Sequence, residues 1–174
     1  MRVGEHKIIF TGSVGAGKTA AISCLSDIPV VGTDVAATDE TLNKKDFTTV
    51  AMDYGYIQLE DGELIHLYGT PGQERFNFMW EILCQGGVGL VLLVDATSSD
   101  PVADCEFYLK AFGKFIEETG AVIGITRADI ASNSIYEQVQ DVVIEKGYPI
   151  AVLEIDARNN EDVNMLVHAL MAVL

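Results

Sequence analysis

The chain has 174 residues, 49% of them hydrophobic and 21% charged, which excludes intrinsic disorder and fits one domain with a real core. Eleven basic residues against 26 acidic ones leave a formal charge of −15. That balance argues against nucleic acid and against an anionic membrane surface, both of which are recognised by Lys and Arg. No apolar run approaches the roughly 18 residues needed to span a bilayer. The N-terminus, Met1-Arg2-Val3-Gly4-Glu5-His6, has neither a signal-peptide pattern nor Gly at position 2, and no Cys stands at the C-terminus for prenylation. The expectation is a cytoplasmic protein with no direct membrane anchor. Cys24, Cys84 and Cys105 form no C-x-x-C pair and read as reduced structural thiols.

Strands and helices alternate along the chain. Residues 7–11 are a short apolar run ending at Gly12 and predict a buried strand. Residues 17–26 predict a helix stopped before Pro29. Residues 30–48 show no clear period and read as a long functional loop. Two strands follow, 49–59 and 63–68, joined at Asp61-Gly62 in a hairpin. After a loop at 69–75 come a helix over 76–85, an apolar strand over 88–94, and a helix from Pro101 to about 118. A strand at 121–125, a helix over 133–146 ending at Gly147, a strand at 150–155 and a helix over 161–173, capped by Asn160, complete the order. The expected architecture is a single α/β domain over 1–174. It has six strands in a mostly parallel sheet, one antiparallel edge strand, and five helices covering both faces.

Gly12-Ser13-Val14-Gly15-Ala16-Gly17-Lys18-Thr19 fits G-x-x-x-x-G-K-[ST] and lies between the first strand and the first helix, the placement that gives the motif meaning. Glycines let backbone N–H groups turn inward around phosphate oxygens. The helix N-terminus, with Ala20 in its first turn, adds partial positive charge. Lys18 supplies a point charge to the β- and γ-phosphates, and the Thr19 hydroxyl is a Mg²⁺ ligand. A Gly-rich turn with a chance Lys is the bland alternative. Three more turns follow strands at the same sheet edge: Gly69-Thr70-Pro71-Gly72-Gln73-Glu74-Arg75-Phe76, Thr126-Arg127-Ala128-Asp129, and Asp156-Ala157-Arg158. That edge is where open α/β sheets bind ligands.

With these four turns in order, the chain resembles a Ras-like small GTPase over its full length. It most resembles the bacterial branch that pairs with roadblock-type proteins and includes the gliding-motility polarity GTPases. Gly72-Gln73-Glu74-Arg75-Phe76 is similar to the switch II of Rab-type members, and Thr49-Val50-Ala51-Met52-Asp53-Tyr54 to the exit of their switch I. The resemblance implies GTP and GDP as ligands with Mg²⁺. It implies guanine selection by Asp129, with Ala157 and Arg158 in the turn that meets the base. Thr126 would hydrogen-bond the phosphate loop, and Arg127 would lie against the base. It implies that Thr49, with Thr48 as a neighbouring candidate, ligates Mg²⁺ and senses the γ-phosphate, that the backbone of Gly72 grips that phosphate, and that Gln73 orients the attacking water. It also implies a partner, a roadblock/LC7-type regulator or another activating or exchange factor, and an effector surface over 33–50 and 69–80.

Two positions depart from the pattern. Gly69 stands where most relatives carry the Asp that holds Mg²⁺ through water, and Asp53 is a candidate substitute. Val14 puts a branched side chain where relatives have a smaller residue beside the catalytic Gln, which predicts slow intrinsic hydrolysis. No Arg lies between residues 30 and 60 to act as an internal finger, and Lys44 and Lys45 lack the planar fork. A GTP-binding scaffold with little or no hydrolysis is therefore the alternative. A metabolite kinase on the same loop would need an Arg-bearing lid, and the sequence has none. Phe76, Phe78, Met79 and Trp80 read either as helix packing or as an effector surface. His6, His66 and His168 read as structural.

Overall fold

A computed structural model describes residues 6–36 and 49–174. Seven strands form one sheet: β1 (His6–Thr11), β2 (Val31–Ala36), β3 (Thr49–Gln58), β4 (Leu64–Gly69), β5 (Gly89–Asp95), β6 (Ala121–Thr126) and β7 (Ala151–Ile155). Their spatial order is β2-β3-β4-β1-β5-β6-β7. β1, β4, β5, β6 and β7 run parallel, whereas β3 is antiparallel to both its neighbours. The parallel strands therefore all end on one edge, and the four turns of interest all leave from it.

The apolar runs explain the centre of the sheet. Every residue of β5 and of β6 is buried, as expected for strands covered on both faces. Alternation divides them between two cores. Phe10, Val91, Leu93 and Val122 face α1 (Lys18–Leu25) and α6 (Asn160–Met171). Ile9, Leu90, Leu92 and Ile123 face α2 (Phe78–Cys84), α3 (Pro101–Ala111), α4 (Gly113–Glu118) and α5 (Tyr136–Lys146). The Asp61-Gly62 turn closes the β3–β4 hairpin, with Leu59 N–H donating to Glu63 O at 2.8 Å and Gly62 at φ 86°.

Three expectations change. The segment read as a loop from residue 30 contains an edge strand, β2, which pairs with β3 over Val31–Ala36. Among the described residues the sheet thus has seven strands, and its antiparallel member lies one place in from the edge. The helix expected from Pro101 to about 118 is two: Phe112, at φ −99° and ψ 9°, interrupts it, giving six α-helices among the described residues. Asn159, not Asn160, caps α6, its side chain accepting from the N–H groups of Glu161 and Asp162.

Candidate functional site

The phosphate loop is shaped by its glycines. Gly12 has φ 144°, and a Cβ placed there would lie 2.3 Å from the Leu93 carbonyl oxygen, so no other residue fits without moving β5. Gly17, at φ 103°, occupies the N-cap position of α1 with no side-chain cap, which leaves the first-turn N–H groups directed into the loop. Lys18 is buried, and its Nζ donates to the carbonyls of Gly12 and Ser13, both at 2.8 Å. Burial pushes its ammonium down to about 8, against a partial opposing pull from the Asp53 carboxylate.

The Asp53 side chain lies beside Gly69. The two residues face each other across the β3–β4 register. A Cβ on Gly69 would lie 3.2 Å from Asp53 Cβ and 3.3 Å from its Oδ2. The Thr19 hydroxyl donates to that same oxygen at 2.5 Å. A hydroxyl and a carboxylate, both hard oxygen donors, meet beside the phosphate loop. This set fits Mg²⁺, which completes its shell with water and phosphate oxygens. Among the described residues no group of three or more His, Cys, Asp or Glu gathers as an all-protein metal cage. Thr49 opens β3, but its side chain lies outside the described residues, as do residues 37–48 of the expected effector segment.

The turn after β4 is fastened to the phosphate loop at its root. Thr70 N–H donates to Phe10 O at 2.8 Å, and the buried Thr70 and Thr11 hydroxyls are 2.8 Å apart. Gly72 then packs on the loop itself. A Cβ there would sit 2.7 Å from Val14 N and 3.0 Å from Lys18 Nζ. Gln73 follows, exposed, before a 3₁₀ turn at Glu74–Phe76. The guanidinium of Arg75 lies over the Phe76 ring, 4.8 Å from its centroid. The aromatic cluster divides: Phe76 and Trp80 are buried, whereas Phe78 is 62% exposed. Val14 is also exposed, at the lip of the loop.

The remaining two turns close the other end. Thr126 Oγ1 donates to Ala16 O at 2.9 Å. Ala157 abuts the loop, since a Cβ on Gly17 would lie 2.9 Å from Ala157 Cβ. Asp129 is exposed in the turn after β6. Arg158 is bound within its own turn, its Nε and Nη2 each 2.9 Å from Asp156, and these hydrogen bonds hold the Asp156 carboxyl down at about 2. Arg127 is the one non-Gly residue at positive φ among the described residues, at 57°. Its guanidinium pairs with the nearly buried carboxylate of Asp95, which also accepts from the N–H and hydroxyl of Thr97. Sequence reasoning missed Asp95. Its signal is a carboxylate ending an otherwise apolar strand at the same edge. Tyr108 and Trp80, which reach this edge from α3 and α2, carry no such signal.

A family model described as "Conserved hypothetical ATP binding protein" matches residues 29–173. The chain belongs to this ATP-binding-protein family. The matched region starts beyond the phosphate loop and includes the turns after β4, β6 and β7. This family member is also similar to individual proteins over most of its length. The uncharacterized protein MJ1339 of Methanocaldococcus jannaschii is 29% identical over 155 residues, covering 84% of this chain and 88% of its own. Ras-related protein SEC4 of Candida albicans is 25% identical over 174 residues, covering 97% and 76%. Ras-related protein Rab-1D of Dictyostelium discoideum is 24% identical over 161 residues, covering 90% and 73%. The seven-stranded, mostly parallel sheet with helices on both faces is that of a Ras-like P-loop fold. No helix among the described residues is long and apolar enough to cross a membrane.

Proposed function

We propose that this chain is a GTP-binding switch that converts GTP slowly to GDP and phosphate and is accelerated by a partner protein. The observation that carries this reading is the meeting of the turns at Gly72, Thr126 and Ala157 on the phosphate loop around Ala16, Gly17 and Lys18. In this reading the loop N–H groups and Lys18 hold the phosphates. Thr19 and Asp53 hold Mg²⁺, with Thr49 as a further ligand; the ion supplies charge neutralisation to the phosphate oxygens. Asp129 accepts from the N1–H and 2-amino group of guanine, a pair adenine does not offer. Ala157 N–H meets the guanine oxygen, and Arg127, braced by Asp95, flanks the base. Gln73 orients a water for in-line attack on the γ-phosphorus as the bond to the β-phosphate oxygen breaks, releasing GDP and phosphate.

Slow turnover follows from what the chain does not bring. Arg75 is held over Phe76, Val14 stands at the lip beside Gly72, and an arginine finger is worth about 10³–10⁵ in rate for this chemistry. A roadblock-type regulator or another activating protein would dock on 69–80, where Phe78 is exposed. Phosphate release from GTP, measured with and without such a partner, tests the enzyme reading. Slow basal release that rises with the partner is expected. Tight GTP binding with no turnover in either case leaves the scaffold reading. ATP is the second reading, favoured by the description of the family to which the chain belongs; it requires that Asp129 make no contact with the base.

A further inference from the structure

Two hydrogen bonds from the helical layer reach the turn after β4. The Tyr108 hydroxyl, on α3, donates to Gly72 O at 3.2 Å. The Trp80 indole, on α2, donates to Pro71 O at 3.1 Å. Both donors are rigidly held. Tyr108 is 3% exposed and Trp80 5%. Their rings lie 5.4 Å apart, and Trp80 also stacks on Phe112 at 5.1 Å and 25°. Burial pushes the Tyr108 phenol well above its ordinary range, so it remains a donor at any working pH. Two successive carbonyls are thus pinned by two aromatic side chains that share one core.

What they pin is the approach of Gly72 to the phosphate loop. Between Gly72 and the loop there is less room than a methyl group needs: an added Cβ would meet Val14 N at 2.7 Å, Ser13 C at 3.0 Å and Lys18 Nζ at 3.0 Å. Lys18 is the residue that grips the terminal phosphates in the function proposed above. A third phosphate beside Lys18 needs several ångströms where the structure leaves a methyl's worth or less. A diphosphate, which ends deeper in the loop, makes no such demand. Admitting the third phosphate therefore requires Gly72 to withdraw, and withdrawal strains or breaks the bonds to Tyr108 and Trp80.

We propose that Tyr108 is a positioning residue whose hydrogen bond to Gly72, seconded by Trp80 on Pro71, holds this turn against the phosphate loop and biases the site toward nucleoside diphosphate over triphosphate. Tyr108 acts through the Gly72 backbone. The inference rests on the nucleotide-binding reading above, and its test separates the two. The net contribution of a single hydrogen bond, several-fold in an equilibrium constant, sets the size of the effect.

The test is binding of GDP and of a non-hydrolysable GTP analogue, each with Mg²⁺, to the wild type and to Tyr108→Phe. The single Trp of the sequence supplies a second, mutation-free readout. Tyr108→Phe is expected to leave GDP affinity within about twofold and to tighten the triphosphate analogue by about three- to tenfold. In the wild type, the analogue is expected to shift Trp80 emission and GDP to leave it unchanged. Equal changes in both affinities, a weakened triphosphate, or a Trp80 signal that does not distinguish the two ligands overturns the latch while leaving the nucleotide site intact. Binding of neither nucleotide to the wild type overturns both. Trp80→Phe, which keeps an aromatic ring in the core and removes the indole donor, is expected to reproduce the triphosphate-selective gain; an unchanged ratio of the two affinities there contradicts the latch independently of Tyr108.

Discussion

Lys18 carries the clearest pH signature. Its pKa in the fold, about 8, lies below the ordinary 10.5 because burial disfavours the ammonium. An unfolded chain binds this proton better than the fold does, so the group's contribution to stability rises with pH between about 8 and 10.5. Nucleotide binding has the opposite sign. Phosphate favours the charged form, so the complex takes up a proton wherever free Lys18 is neutral. Affinity is expected to be flat below about pH 8 and to weaken about tenfold by pH 9. Calorimetry in two buffers of different ionisation enthalpy would detect the proton; a pH-independent affinity would remove Lys18 from the phosphate site. Asp53 gives a second test. Asp53→Asn keeps the shape and removes the charge beside Thr19, so Mg²⁺-dependent retention of nucleotide should fall by about tenfold. A variant whose nucleotide release responds to chelator like the wild type would contradict the assignment. The sequence offered Asp53 only as a candidate, because the face it points to depends on strand register. Its pairing with Gly69 is a property of two strands together.

At the scale of elements, what was legible follows burial. β5 and β6 are apolar because both their faces are covered, and they, β1 and β7 stand where the apolar runs put them. β2 was hidden because Val-Gly-Thr-Asp-Val-Ala carries Gly and Asp and, among the described residues, sits at the edge of the sheet. The break at Phe112 was hidden because the apolar pattern runs through it: Tyr108, Leu109, Phe112 and Ile116 all enter one core. Gly113, which starts α4, is the only local hint. The cap of α6 was misplaced by one residue because Asn159 and Asn160 are both capable; Asn160 instead donates to Cys24 O at 2.7 Å and ties α6 to α1. Asn159→Ala should cost about 1 kcal/mol in chemical denaturation, with Asn160→Ala acting through a different contact. Equal stability of Asn159→Ala and the wild type would mean that the cap is silent.

The whole molecule sets a strongly acidic body against a phosphate loop that carries a buried lysine. With a charge of −15 the long-range field repels nucleotides, so recognition has to be local: inward N–H groups, a buried ammonium and a helix N-terminus, all in one loop. The order of the four turns was legible in the sequence because each follows an apolar strand. Their meeting was not, since it depends on contacts such as Thr126 to Ala16 and Ala157 against Gly17. The base is where the family description and the local chemistry part, and it decides the account. The most direct measurement is competition calorimetry of GTP, GDP and ATP, with Mg²⁺, on the wild type and on Asp129→Asn. The account requires guanine nucleotides to bind the wild type at least about a hundredfold tighter than ATP, because adenine leaves the Asp129 carboxylate without its two donors, and it requires Asp129→Asn to shift preference toward xanthosine nucleotides. ATP binding as tight as GTP, with Asp129→Asn unaltered in base preference, would contradict it.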